Sequence, residues 1–370
     1  MTDDRPLTDD RLLGDDEAAF IAAARSHDAA RFALITERHR RELQVHCYRM
    51  LANYEDAQDM TQETFLRAWH KRESFKGHAA LRTWLYRIAT NACLDFLDKR
   101  NDRTPVPAEL PGSGSGSGSG SEMRYLQPYP DRMLPEDPQE SVVARETIEL
   151  AFIVAVQHLP PRQRAVFILR DVLGWPASKA ADALELTVAS VTSALQRARV
   201  TMREQLPDRR LDWRSPATHE LSDDERGAVK SYMDAHERND LDRLMALLRD
   251  DLRFTMLPEP GTLSVTAKDA VDGWVSNGLF QRGYDDWRCI ATTVNRMPAA
   301  VLYLRTPDDP EYRLFNIAVL HIVDGKLAEL TGFDATDKPW LDLPPTLSSN
   351  KGPVVDESSA RAAVTEVTAE

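Results

Sequence analysis

The chain has 370 residues, 59 acidic against 46 basic side chains, and a formal net charge of −13. That length holds two or three domains, and no apolar run reaches the ~20 residues of a membrane-spanning helix. The acidic start MTDDRPLTDD is unlike a secretory signal, and three widely spaced cysteines (Cys47, Cys93, Cys289) show no metal-ligand spacing, so a reduced cytoplasmic protein without a bound metal is expected.

Residues 1–16 are polar and acidic and read as a disordered start. Helical periodicity runs from Glu17 to about Arg100, and residues 17–103 read as one all-α domain. On a helix through 57–69, Ala57, Met60, Thr64 and Ala68 fall on one side, leaving Asp56, Asp59, Gln62, Glu63 and Arg67 for the others. The stretch KRESFKGHAAL, residues 71–81, breaks the periodicity and reads as a loop. In the helix after it Leu81, Leu85, Ile88, Ala92 and Phe96 form a core stripe, and Trp84 reads as a packed ring.

Residues 104–140 read as a flexible linker that includes ten strictly alternating Gly and Ser residues, Gly112 to Ser121, an unusual regularity for a natural chain. Within it YLQPYPDRMLPEDP, rich in proline with Tyr125, Leu126, Tyr129 and Leu134, should be extended and able to lie in a groove. Helices resume over 141–206. Pro176 opens a short helix, Glu185-Leu186-Thr187 makes a turn, and Thr187 caps a longer helix, a helix-turn-helix pattern. That last helix should turn Val188, Val191 and Leu195 inward.

After a linker over 207–218, residues 219–340 change character. Residues 222–249 read as one or two amphipathic helices, and strands follow from Leu252, with one helix near 267–277 and a hairpin turn at Asp324-Gly325. Helices followed by a curved antiparallel sheet is an α+β layout. Residues 341–370 read as a disordered tail.

Charge is distributed unevenly along the chain. Residues 64–103 hold nine Lys/Arg and four acids, and residues 162–203 hold seven and three. From Ala217 onward there are 27 acids and 16 bases. Two modest basic islands beside an acidic C-terminal part fit a protein that meets DNA only when docked on a larger enzyme.

The ordered pair AQDMTQETFLRAWHKRESFKGHAALRTWLYRIATNACLDFL (57–97) and LPPRQRAVFILRDVLGWPASKAADALELTVASVTSALQRARVTMREQL (159–206) resembles regions 2 and 4 of extracytoplasmic-function sigma factors of the sigma-70 family. The resemblance implies two partners, bacterial core RNA polymerase and promoter DNA, and no cofactor or membrane. It carries polymerase binding onto Asp56, Asp59, Gln62, Glu63 and Arg67. Capture of the −10 strand falls on Phe75, Lys76, His78, Arg82, Arg87, Asn91 and Asp95, where an unstacked base needs a pocket, edge hydrogen bonds and phosphate contacts. Reading of the −35 duplex falls on Ser190, Thr192, Ser193, Gln196, Arg197 and Arg199 of a helix that enters the major groove. Thr192 and Ala194 stand where the family commonly has Lys and Arg, so Arg162, Arg164 and Arg170 are candidates for the missing phosphate grip. Over 219–340, element order and the stretches RFTMLPEPG and HIVDGKLAELTGFD resemble the SnoaL-like members of the NTF2-like fold, a cone-shaped α+β barrel. Relatives of that fold use a buried carboxylate or histidine; Asp269, Asp272, His321, Asp324 and Asp334 are the candidates here, and no two of them form a legible acid–base pair. A regulatory, non-catalytic domain with a small-molecule ligand is the preferred reading. The rivals are a helix-turn-helix regulator that never docks on polymerase, which leaves 57–97 unexplained, and a bifunctional protein with a cyclase or isomerase cavity.

Overall fold

The computed structural model describes residues 19–23, 25–75, 80–103, 126–135, 147–206, 222–257, 262–276, 286–307 and 309–348. The chain divides into two compact units, Met1–His219 and Glu220–Glu370.

In the first unit, α1 (Ala29–Glu37) starts where the Asp28 carboxylate accepts the Arg31 N–H. The central helix is α2 (Arg40–Leu51), buried continuously from Glu42 to Leu51, and it stops at Ala52 in a left-handed conformation with φ 57°. Asn53 then caps α3 (Tyr54–His70), which turns Ala57, Thr61, Thr64 and Ala68 inward. Packed against both, α4 (Leu81–Arg103) buries Leu81, Leu85, Ile88 and Ala92, while Phe96 is only half-buried beneath the Arg100 guanidinium. Phe20, Phe32, Trp69, Phe75 and Trp84 close one end with mostly edge-to-face ring contacts.

Residues 126–135, expected within a flexible linker, are held along the junction of α2 and α3. Tyr129 is fully buried between the rings of Tyr48 and Tyr54, with Leu126 and Leu134 buried beside it. The Gln127 N–H donates to the Ala52 carbonyl, and the Tyr48 hydroxyl donates to the Gln127 carbonyl. Burying three such side chains contributes about 2 kcal/mol each, which offsets part of the entropy of ordering the peptide.

The helix-turn-helix part contains α5 (Leu150–Gln157), α6 (Pro161–Phe167) extended by a π turn over Ile168–Val172, α7 (Ala177–Leu184) and α8 (Val188–Gln205). Glu185, φ 56°, makes the tight turn between α7 and α8, and the Thr187 hydroxyl accepts the Ser190 N–H as the cap. Val188, expected inward, is exposed at the first position of α8; Val191, Ala194, Leu195 and Ala198 carry the packing.

The second unit opens with α9 (Asp223–Glu237), closed by a reciprocal Ser222–Glu225 capping box, and α10 (Leu241–Leu247). The strands are β1 (Leu248–Leu257), β2 (Thr262–Val265), β3 (Asp286–Val294), β4 (Met297–Arg305), β5 (Glu311–Val323), β6 (Lys326–Asp334) and β7 (Thr346–Ser348), with α11 (Ala267–Ser276) between β2 and β3. Their order is β2-β1-β6-β5-β4-β3, with β7 on β5, and only the β1–β6 pair is parallel. Asp324-Gly325 turns β5 into β6 with both residues at positive φ, as expected, and Asn295-Arg296 makes an unforeseen equivalent between β3 and β4.

Register shifts at Leu302/Tyr303 and His321/Ile322 bend the sheet around Tyr232, Leu244, Trp287, Leu302, Leu320 and Leu330. Two expectations are corrected here. The sheet stays open, because β2 and β3 end the path without pairing with each other, so it is a curved half-cone and not a closed barrel. Residues 346–348 are not tail: β7 supplies hydrogen-bonding partners for the start of β5, Glu311–Arg313.

Candidate nucleic-acid interface

On α3 the solvent side carries Glu55, Gln58, Asp59, Gln62, Leu66 and His70, spaced by three or four residues. Leu66 is 57% exposed, an apolar side chain in the middle of a polar stripe. Asp56 lies toward α4, 3.5 Å from the Arg100 guanidinium. Its pKa is raised, by burial first, and the neighbouring Asp59 and Glu55 charges add to the pull of burial against Arg100. Arg67 also faces α4, donating to Glu63 at 2.7 Å and to Asp95 at 2.6 Å. A residue assigned to polymerase and one assigned to the −10 strand therefore form a single ion triad, a pairing that linear spacing does not reveal.

Around the start of α4, Lys76 and His78 lie outside the described residues. Phe75, expected among the residues that capture the −10 strand, has its ring buried against Phe20 and Trp84. Arg82 donates through Nε to Glu42 at 2.5 Å, and the same buried carboxylate accepts from His39 at 2.5 Å and from the Tyr86 hydroxyl at 3.0 Å. Burial alone would raise the Glu42 pKa, but its hydrogen bond to His39 and the Arg82 charge prevail and hold it low. Deeper in, His46 Nε2 lies 2.8 Å from the Thr90 hydroxyl, which itself donates to the Tyr86 carbonyl. That chain assigns the proton to Nε2 of a neutral ring, whose pKa burial depresses to about 3. Neither Glu42 nor His46 carried any sequence signal, since both sit in an unbroken buried run of α2.

Arg87 and Asn91 share a solvent side of α4, one turn apart, and the helix-turn-helix turn meets them. Arg87 Nη2 is 3.3 Å from the Glu185 carboxylate and Asn91 Nδ2 is 3.5 Å from the Ala183 carbonyl. A polar cleft of about 340 Å³ runs between the two parts, lined by Asn91, Asp95, Asp98, Arg162, Leu184 and Glu185. The seam continues through Arg164, which is only 1% exposed. Its guanidinium donates to the carbonyls of Val156, Gln157 and Leu159 at the end of α5, and to Met50 at the end of α2 at 2.5 Å. Gln157 Nε2 donates to the Arg49 carbonyl at 3.2 Å. Arg164 is therefore corrected from a phosphate contact to a buried cap on two helix ends. Arg170 is likewise turned inward, donating to the Trp175 carbonyl. Arg162 remains exposed.

Ser190, Thr192, Ser193, Gln196, Arg197 and Arg199 are all exposed on α8. Arg199 is gripped by Asp171 in a two-pronged pair, both distances 2.7 Å, which leaves three of its N–H groups for another partner.

In the second unit the five acid–base candidates are engaged in local structure. Asp269 closes the Thr266 cap of α11, Asp272 pairs with Lys268 on the surface, Asp324 sits in a turn, and His321 faces Glu329 across β5–β6. Asp334 accepts the Thr336 N–H and hydroxyl at the end of β6. The buried histidine of this unit is His236, stacked between Tyr232 and Trp287, its pKa lowered by burial to about 4. Among the described residues no group of His, Cys, Asp and Glu could hold a metal ion, and no helix is long and apolar enough to cross a membrane.

Residues 35–103 match the family model for Sigma-70 region 2, and residues 149–202 match that for Sigma-70, region 4. The ECF RNA polymerase sigma factor SigG of Mycobacterium tuberculosis (strain ATCC 25618 / H37Rv) is 37% identical over 352 residues, covering 93% of this chain and 91% of that protein. The ECF RNA polymerase sigma factor SigW of Bacillus subtilis (strain 168) is 32% identical over 188 residues, covering 51% of this chain and 95% of that protein. Among solved structures, the Mycobacterium tuberculosis extracytoplasmic function sigma factor SigJ aligns with a TM-score of 0.51 at 23% identity, covering 81% of this chain and 95% of that one, a likeness of fold. With both helical blocks in order and a relative matched along nearly its whole length, the chain belongs to the ECF RNA polymerase sigma factors, and an α+β domain follows its two sigma regions.

Proposed function

We propose that this sigma factor works in the cytoplasm by docking on core RNA polymerase through the solvent stripe of α3, centred on Asp59, Gln62 and Glu63. Asp56 and Arg67 hold that stripe in place through Arg100 and Asp95. Arg82, Arg87 and Asn91 on α4, with Lys76 and His78 before it, capture the opened −10 strand, while Phe75 serves by packing. The exposed row from Ser190 to Arg199 reads the −35 duplex, with Arg162 as a further phosphate contact. Arginine serves the phosphates, and Asn91 and Gln196 serve base edges.

The observation that carries this reading is the solvent exposure of all six residues on α8, with its inward positions filled by Val191, Ala194, Leu195 and Ala198. The NTF2-like domain is a regulator and not a catalyst in this reading. Its bent sheet surrounds an apolar cluster, and the candidate carboxylates are engaged in caps, turns and surface pairs. Run-off transcription with purified core polymerase, on promoters selected from a genomic library, tests the whole. Asn91→Ala should impair permanganate-detected strand opening while −35 binding persists; normal opening by this variant removes Asn91 from the site. Ending the chain after Leu206 should change transcription at fixed core concentration, and equal activity with and without the domain argues against in-chain control.

A further inference from the structure

The peptide docked at the α2–α3 junction changes the mechanics of the chain. Leu126, Tyr129 and Leu134 are buried there, the Gln127 side chain receives the Glu55 N–H at 3.2 Å and donates to the Glu55 carboxylate at 2.6 Å, and Arg41 reaches the Leu134 carbonyl at 3.5 Å. Each of these partners belongs to the first helical domain. The chain that leads to the helix-turn-helix domain therefore starts from Leu134, 13 residues before Thr147, instead of from the end of α4 at Arg103, 44 residues before it.

We propose that residues 126–134 are a latch: docked on the first domain, they shorten the tether to the helix-turn-helix domain and so keep Arg87 and Asn91 bonded to its turn in the free protein. The inference rests on the reading of α4 and α8 as the two promoter-facing helices, and its test needs neither polymerase nor DNA. The reach of the tether gives the scale. Thirteen residues span at most about 45 Å, and 44 residues about 150 Å. Elements named for positions −10 and −35 lie about 85 Å apart along B-form DNA. With the latch docked the tether covers about half of that distance, and with the latch released it covers all of it. Effective concentration falls as roughly the −3/2 power of tether length, so releasing the latch lowers the local concentration of one domain at the other about sixfold.

The reporter is Gln157→Cys, since the Gln157 side chain is buried in the seam and bonded to the Arg49 carbonyl. Where reclosing outpaces reaction, its thiol-labelling rate follows the open-to-closed ratio. A 30-residue Gly-Ser insertion after Gln139 should raise that rate about sixfold, because it lengthens the tether from 13 to about 43 residues. The same insertion after Ser121 should leave the rate unchanged, because both ends of that loop are held on the first domain. Tyr129→Ser should by itself give the sixfold rise, although it also disturbs packing. The two insertions touch no buried residue among those described, so the comparison between them is decisive. A tether running freely from Arg103 gives about a twofold increase at either place, and that equality overturns the proposal, as does no change at Gln139.

Discussion

The Arg199–Asp171 pair gives the sharpest test of the −35 surface. Arg199 is exposed on α8, yet two of its donors are already committed to Asp171 at 2.7 Å. If the three remaining N–H groups meet one phosphate, Arg199→Ala removes one released counterion, and the slope of log binding constant against log salt becomes shallower by about 0.9. Between ~50 and ~200 mM salt that difference alters the ratio of wild-type to variant affinity about 3.5-fold. The loss should be similar on matched and mismatched −35 sequences, since a phosphate carries no sequence code. Asp171→Asn should act oppositely, strengthening association at low salt by removing a negative charge beside the backbone, although it also loosens the guanidinium. Association of holoenzyme with a promoter fragment across a salt series measures both. An Arg199→Ala slope equal to that of the wild type refutes the phosphate contact and leaves the pair as a brace between α8 and the π turn.

Glu42→Gln should destabilise the first unit by about 2–4 kcal/mol, because it weakens charge-assisted bonds from Arg82 and His39 around a buried acceptor, and thermal unfolding followed by circular dichroism reads the loss. Since the folded Glu42 pKa lies below its unfolded value of 4.5, the wild-type advantage is full above that pH and shrinks as pH falls through the folded value. His236 has the histidine counterpart: with a folded pKa of about 4 against 6.5 unfolded, stability of the second unit falls below pH 6.5 by about 1.4 kcal/mol per unit, and His236→Phe should flatten urea-derived stability between pH 6.5 and 4. On the α3 stripe proposed to bind polymerase, Leu66→Ala combined with Gln62→Ala should weaken co-purification with core enzyme at least tenfold at unchanged helical content, as an apolar side chain at the centre of a polar stripe is placed to dominate an interface; undiminished recovery moves the interface elsewhere.

Much of this protein is determined locally. Periodicities of three to four residues, the Thr187 cap, the Asp324-Gly325 turn and the change from helical to alternating pattern near residue 250 are short-range properties, and each is legible in the linear chain. Two ordered motif blocks were enough to indicate the family. Tertiary structure decided what depends on meetings between distant residues. Arg164 and Arg170 look like a basic face in sequence, but the open carbonyls of α5, α2 and the loop before α7 draw both guanidinium groups inward. Phe75 stands in sequence among the residues for −10 capture, but Phe20 and Trp84 enclose its ring. The peptide around Tyr129 has linker composition, and its order comes from a groove built by Tyr48 and Tyr54, 81 and 75 positions earlier in the chain. Composition sets how readily a segment leaves water, whereas its final partners depend on which donors, acceptors and apolar walls the rest of the fold leaves unfilled.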